Sequence, residues 1–173
     1  KEDWVKQALF LKNQLSDSVL EASLKDLPNE AYELNGEKIL KTLINRREKL
    51  EEFALEYYEI LAKEVNVYGT IKKDFVEIIR NENGSVEVNL YPRKKGKRVE
   101  EEQFYHRVFW PNETKEIRIY GMGGKDEYEL KGESKSSILV RIIASREEDK
   151  LKDDSKVAGC RKYTKYYDDK GNN

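Results

Sequence analysis

The chain has 173 residues, enough for one domain or two small ones, and its 33 basic and 34 acidic residues leave a formal net charge of −1. Charged residues make up 39% and apolar residues 38%, which allows a modest core beneath a heavily charged surface. The balanced charge argues against a duplex nucleic-acid binder, which carries a basic excess; the single cysteine, Cys160, excludes an intramolecular disulfide; and no apolar run reaches the length of a membrane span. The chain opens at Lys1 rather than Met, so it reads as a piece of something longer, and the lack of a signal peptide carries no information.

Lys1 to Val65 reads as helical. Trp4, Val5, Ala8, Leu9, Lys12 and Leu15 follow the three-four spacing of an amphipathic helix. Ser16-Asp17-Ser18 offers N-cap oxygens, with Glu21 three residues after Ser18 as a capping box. A short helix follows and stops before Pro28. Pro28 to Leu34 reads as a connector. Asn35 then caps the longest helix, whose apolar stripe is Ile39, Leu40, Leu43, Ile44, Leu50, Ala54, Tyr57, Tyr58 and Leu61. Arg47 interrupts that stripe, with a stem that can pack while its head finds solvent or a carboxylate.

From Lys72 the period changes to alternation. Phe75 to Ile79 is apolar on both sides, as in a covered strand. Asn83-Gly84 signals a type I′ hairpin, and Val86, Val88 and Leu90 form one face of the return strand. Arg93, Lys94, Lys95, Lys97 and Arg98 make a basic loop around Gly96. Phe104, His106, Val108 and Trp110 then alternate with Tyr105, Arg107 and Phe109. Beyond Ala144 the chain is nearly all charge to Lys156, and its last stretch, with Tyr163, Tyr166 and Tyr167, is a frayed end or a poor final strand.

The centre of the β-rich part is an internal repeat. Ile117-Arg118-Ile119-Tyr120-Gly121 aligns with Val140-Arg141-Ile142-Ile143-Ala144 at an offset of 23, which also places Asp126 on Asp149 and Tyr128 on Leu151. The copies span 117–128 and 140–151. A period of this size belongs to one coil of a solenoid or one step of a meander. Two copies are too few to stand alone, since neighbouring coils must bury each other's apolar faces. Gly121, Gly123 and Gly124 are read as permitting positive φ at the corner. A sharper reading is calcium held by Asp126 and Asp149, because Gly121 to Glu129 fits most of the nonapeptide of calcium-binding β-rolls. Met122 breaks that pattern, and calcium takes six to eight oxygens, which favours a plain structural turn.

Little else carries chemistry. His106 is the only histidine, too few for a typical catalytic zinc. Ser134, Ser136 and Ser137 lack a nucleophile-elbow pattern, and the glycine corner lacks the Lys-Ser/Thr of a phosphate-cradling loop. Arg93, Lys94 and Lys95 are candidates for touching phosphates or anionic headgroups, against the alternative of a solvated hairpin loop. Tyr105, Phe109 and Trp110 are candidates for a stacking platform for a sugar or base, against the alternative of ordinary core.

The run His106 to Asp126, containing Phe109-Trp110-Pro111-Asn112 and Ile117-Arg118-Ile119-Tyr120-Gly121-Met122-Gly123-Gly124, resembles a segment of large exported bacterial proteins. Those proteins join a calcineurin-type metallophosphatase to an outer-membrane β-barrel of the surface-antigen type. Leu43 to Leu50, with Ala54 and Tyr57-Tyr58, is similar to the part just upstream. The resemblance covers roughly residues 14 to 150. It implies an intervening domain of a cell-envelope protein, in the periplasm or cell envelope with the cytoplasm as the alternative, contacting neighbouring domains of its parent or another envelope protein. It carries over no catalytic residue.

The fold expected is α+β: helices over 1–66 packed on a mainly antiparallel, partly repeat-built region over 67–173, forming one compact unit with a loose C-terminus. The function expected is a non-catalytic structural or interaction domain with no cofactor and no nucleic-acid partner. The alternative is a ligand-binding module for calcium or carbohydrate.

Overall fold

The computed structural model describes residues 1–145 and 147–168. Among these residues it has four helices and eleven strands, an α+β composition with the helices first. The chain divides into two compact units, Lys1–Leu61 and Ala62–Asn173. The C-terminal Gly171-Asn172-Asn173 lies outside the described residues.

The first unit holds α1 (Glu2–Gln14), α2 (Asp17–Leu24), α3 (Asn29–Glu48) and most of α4 (Leu50–Lys63). Ser16 caps α2, its hydroxyl accepting from the Val19 N–H at 3.3 Å. Pro28 to Leu34 is not a connector, because α3 starts at Asn29, straight after Pro28. Proline's fixed φ suits the position before a helix, where no N–H partner is needed. Asn35 is therefore interior to α3 and caps nothing. Gly36 is the buried residue of α3, and a Cβ there would stand 2.9 Å from the Tyr32 ring one turn earlier. Arg47 reaches back between elements. It donates to the Leu15 carbonyl at 2.8 Å and pairs with Asp17 at 2.5 Å. Trp4 of α1 meets Tyr57 of α4 edge-on, ring centres 5.7 Å apart.

Helix gives way to strand at Glu64, earlier than the sequence suggested. Two sheets follow. Sheet A is β1 (Glu64–Tyr68), β6 (Glu116–Tyr120), β8 (Leu139–Ile143) and β11 (Thr164–Tyr167), in that spatial order and all parallel. Sheet B runs from β9 (Lys150–Asp153) and β10 (Lys156–Val157) through β7 (Glu127–Ser134) and β2 (Asp74–Arg80) to β3 (Val86–Lys94). Beyond β3, β4 (Lys97–Arg98) and β5 (Tyr105–Phe109) pair with it antiparallel.

The chain alternates between the sheets. β1 leads to β2, β6 to β7, β8 to β9 and β10, and β11 begins a further layer. Each coil thus gives one strand to sheet A and then one to sheet B. Glu116 pairs with Leu139 and Glu127 with Lys150, both 23 residues apart. One coil below, Glu64 pairs with Glu116 and Phe75 with Glu127, both 52 apart. The first coil therefore carries 29 extra residues, the antiparallel excursion β3–β5. The β-region is consequently not mainly antiparallel: among the described residues six of nine pairings are parallel, and the antiparallel ones all belong to that excursion.

The core lies between the sheets. Val67, Ile117, Ile119, Val140 and Ile142 come from sheet A; Val76, Ile78, Tyr128 and Leu130 from sheet B; and Val86, Val88, Leu90 and Phe109 from the excursion. Alternate residues of each strand point inward, as the pleat requires. Each buried aliphatic side chain stabilises the fold by about 1.5–3 kcal/mol. The outer faces carry ion pairs at the coil spacing, including Lys152 with Glu129 at 3.1 Å and Lys156 with Glu133 at 3.0 Å. This is why the charged run after Ala144 forms strands: its exposed charges match those of the adjacent coil. On sheet A, Arg141 and Arg118 both clasp Glu116, at 2.8 and 2.6 Å. The Arg141 hydrogen bond is the larger cause holding the Glu116 carboxyl down to about 2.

Asn83-Gly84 does join antiparallel strands, β2 and β3. The turn runs from Asn81 to Ser85, however, and only Gly84 has positive φ, so it is not type I′. The type I′ pattern appears instead at Lys95-Gly96, where φ is 51° and 80°.

Candidate functional site

The three corners that carry the chain from sheet A to sheet B are 69–74, 121–126 and 144–149. Each ends on an aspartate: Asp74, Asp126 and Asp149. The register of the following strands places the three in one column across adjacent coils. All are buried, Asp74 and Asp126 to 1% exposure.

The column is tied by its own backbone. Asp126 Oδ1 accepts the Asp74 N–H at 2.8 Å, and Asp149 Oδ1 accepts the Asp126 N–H at 2.7 Å. Each of these contacts crosses from one coil to the next. The remaining oxygens serve their own corners. Asp74 Oδ2 accepts the Thr70 N–H at 2.5 Å, and its Oδ1 accepts the Thr70 hydroxyl at 2.9 Å. Asp149 Oδ2 accepts the Ser145 N–H at 2.8 Å and the Ser145 hydroxyl at 3.3 Å. Thr70 and Ser145 hold equivalent positions. In the coil between them that position is Met122, which has no hydroxyl and is 56% exposed. Asp126 Oδ2 takes the Tyr128 hydroxyl instead, at 3.4 Å.

That substitution explains Gly121. A Cβ on Gly121 would lie 2.2 Å from the Tyr128 hydroxyl oxygen. Gly124 has φ +86°, and a Cβ there would stand 2.4 Å from the Lys72 carbonyl oxygen of the coil below. Gly121 and Gly123 do not have positive φ; only Gly124 does. Gly121 is required by the inward-pointing tyrosine, not by backbone handedness.

Burial dominates the electrostatics. It pushes the Asp126 carboxyl up to about 7, against the Asp74 N–H, and the charges of Asp149 and Asp74 push the same way. Burial also raises Asp74, with the Thr70 donors opposing it. The Tyr128 hydroxyl is raised by burial first and by Asp126 and Asp149 second. Among the described residues no Lys or Arg forms an ion pair with these three carboxylates.

As a calcium site, Asp126 and Asp149 present oxygens already facing N–H and O–H donors. Among the described residues no group of three or more His, Cys, Asp or Glu is placed to hold a metal ion. What the corners do show is a hydrogen-bonded column of Asp74, Asp126 and Asp149.

The other candidates are dispersed. Arg93 donates to the Lys125 carbonyl at 3.1 Å and pairs with Glu127 at 2.9 Å, tying β3 to β7. Lys94 pairs with Glu102. Arg98 pairs with Glu77 at 2.8 Å and lies over the Phe75 and Tyr91 rings. Lys95 sits at the exposed turn. The basic loop is thus largely neutralised by local acids. Tyr105 packs on the core, whereas Trp110 is 48% exposed, so the two do not form one stacking surface. His106 is exposed, its Nε2 3.3 Å from Glu87 Oε1.

Two residues central to this geometry were not legible as such. Asp74 and Thr70 belong to the repeat, but the 29-residue excursion displaces them from the period of 23. The signal that would have found them is the offset of 52 between Val65-Asn66-Val67-Tyr68-Gly69 and Ile117-Arg118-Ile119-Tyr120-Gly121. In comparisons with family models, curated proteins and solved structures, nothing matches this chain.

Proposed function

We propose that the chain is a non-catalytic structural or interaction module of a larger exported bacterial protein. One observation carries the reading: the groups that could do chemistry are employed in holding coils together. The Asp74, Asp126 and Asp149 oxygens accept from corner donors, and Asp126 and Asp149 bind the next coil's backbone. They are buried away from any substrate. A short β-solenoid of this kind presents flat, rigid outer faces. That suits a spacer or docking element between neighbouring domains of its parent or another envelope protein.

On sheet A the outer face carries Tyr68 and Tyr120, stacked with ring centres 5.2 Å apart. Tyr167 adds a further ring beside Arg141. No helix among the described residues is long and apolar enough to cross a membrane. The test is cross-linking mass spectrometry on the intact parent protein. The expected result is links from the outer faces of residues 62–168 to residues outside this chain. Hydrolysis of a phosphomonoester or glycan substrate by the isolated chain, abolished in Asp126→Asn, would overturn the proposal.

A further inference from the structure

The corners that return from sheet B to sheet A have their own buried polar group, and it is a cation. Arg80 closes β2 at the opposite end of the coil from Asp74 and is 1% exposed. Its guanidinium spans several coils. Nε donates to the Ser155 hydroxyl at 3.2 Å. Nη1 donates to the Ser137 hydroxyl at 2.7 Å and the Ile138 carbonyl at 3.0 Å. Nη2 donates to the Tyr163 carbonyl at 2.9 Å and the Thr164 hydroxyl at 3.1 Å. All five donors meet neutral oxygens, so the hydrogen bonds are complete while the charge is not balanced by any hydrogen-bonded carboxylate. A buried charge without a partner is costly.

Beside this guanidinium opens a cavity of about 210 Å³ lined by Arg80, Asp153, Ser155, Arg161, Lys162 and Thr164, among others. Three cations face one carboxylate, an excess of two positive charges. Asp153 is the nearest counterweight to Arg80, yet it forms no ion pair with it and is turned to the Ser155 N–H and hydroxyl, at 3.0 and 2.5 Å. Among the described residues Arg161 and Lys162 have no acidic partner, and Arg161 lies over the Tyr163 ring at 5.3 Å. The Thr164 hydroxyl accepts from Arg80, which leaves its own hydrogen to donate. These are the parts of an oxyanion site: exposed cations at the mouth, a hydroxyl donor, and a buried positive charge behind them.

We propose that this cavity binds a small dianionic oxyanion of the phosphate class, free or as a phosphomonoester. Arg161, Lys162 and Thr164 supply the direct contacts. Arg80, whose N–H groups are all engaged, acts through its charge rather than by direct contact. The dianion matches the excess of two charges. In the basic loop, by contrast, Arg93, Lys94 and Arg98 are paired with acids. This inference does not depend on the structural role proposed above.

The experiment is calorimetric titration of the chain with inorganic phosphate and with phenyl phosphate, alongside thermal midpoints against sodium chloride at matched ionic strength. Binding of either phosphate, with a rise in midpoint beyond that given by chloride, is the expected result. Preference for inorganic phosphate identifies a free-anion site, and preference for phenyl phosphate identifies an ester site. The double variant Arg161→Ala/Lys162→Ala removes exposed side chains and is expected to keep the ligand-free midpoint while losing affinity by about tenfold or more. No binding above the chloride control, or equal binding by the double variant, overturns the proposal. Replacement of Arg80 is not used as the criterion, since it also unties the coils.

Discussion

The carboxylate of Asp149 accepts the backbone N–H of Asp126 at 2.7 Å, and among the described residues neither carboxylate forms an ion pair with a Lys or Arg. The acid is thus used as a backbone acceptor inside the core, where its charge is a liability. This arrangement gives the fold a pH signature.

Asp126 is held up to about 7, so the unfolded chain, whose aspartates titrate near 4, releases the proton first. Stability contributed at this group therefore falls as pH rises from about 4 to about 7 and is level above that. Glu116 acts in the opposite sense. Its carboxyl is held down to about 2, so its contribution is full above 4.5 and is lost as pH falls towards 2. The two together place maximal stability at about pH 4–5. Asp126→Asn keeps an oxygen for the Asp74 N–H and removes the buried charge. It is expected to stabilise the fold at neutral pH by on the order of 2 kcal/mol and to flatten the decline above pH 5. Asp74 leaves a residual slope, because burial raises it too. Thermal midpoints of wild type and variant against pH decide the matter. Parallel curves would show that Asp126 is not the titrating group.

Met122 stands where the neighbouring coils have Thr70 and Ser145. Met122→Ser restores a corner hydroxyl within reach of Asp126 and removes an exposed apolar side chain. A net gain of about 0.5–1.5 kcal/mol is expected from one such hydrogen bond, read as a rise of a few degrees in the midpoint. A fall would mean that the Tyr128 hydroxyl already satisfies the acid and that the serine competes with it.

Two glycines with similar φ separate handedness from crowding. Gly124 and Gly96 have φ of +86° and +80°, but only Gly124 has a backbone oxygen 2.4 Å from the position of a Cβ. Gly96→Ala costs only the left-handed strain, about 1 kcal/mol. Gly124→Ala adds a clash with the coil below and is expected to cost at least about 3 kcal/mol. Chemical denaturation of the two variants checks the difference, and equal costs would show that the corner can spread.

Calcium gives a clean contrast. With the Asp126 and Asp149 oxygens committed to donors, titration with Ca²⁺ is expected to give no heat and no shift in midpoint. Binding that disappears in Asp126→Asn and Asp149→Asn would restore the calcium reading of the corner.

The α+β class and the aspartate pair at 126 and 149 were legible because both rest on local pattern: helical spacing, then alternation, then a recurring corner. The parallel pairing was not. A hairpin announces itself within a few residues at Asn83-Gly84, whereas Glu64 meets Glu116 across 52 positions and leaves no local trace. The excursion β3–β5 hid the first coil by stretching its period. The strand at Lys150–Asp153 escaped for a different reason. It is exposed along its length, so it lacks the apolar alternation by which a half-buried strand is read. Arg93 and Arg98 looked like free cations for a similar reason: Glu127 and Glu77 pair with them only in the folded chain.

The excursion also sets which way the stack can grow. Where β3 turns back along β2, sheet B changes direction, so a coil arriving from a second molecule would meet strands running the wrong way for the parallel ladder. An open run of identical layers is a template for endless end-to-end assembly into fibrils. Here that side of the sheet is closed by the chain's own detour, at the expense of a broken repeat.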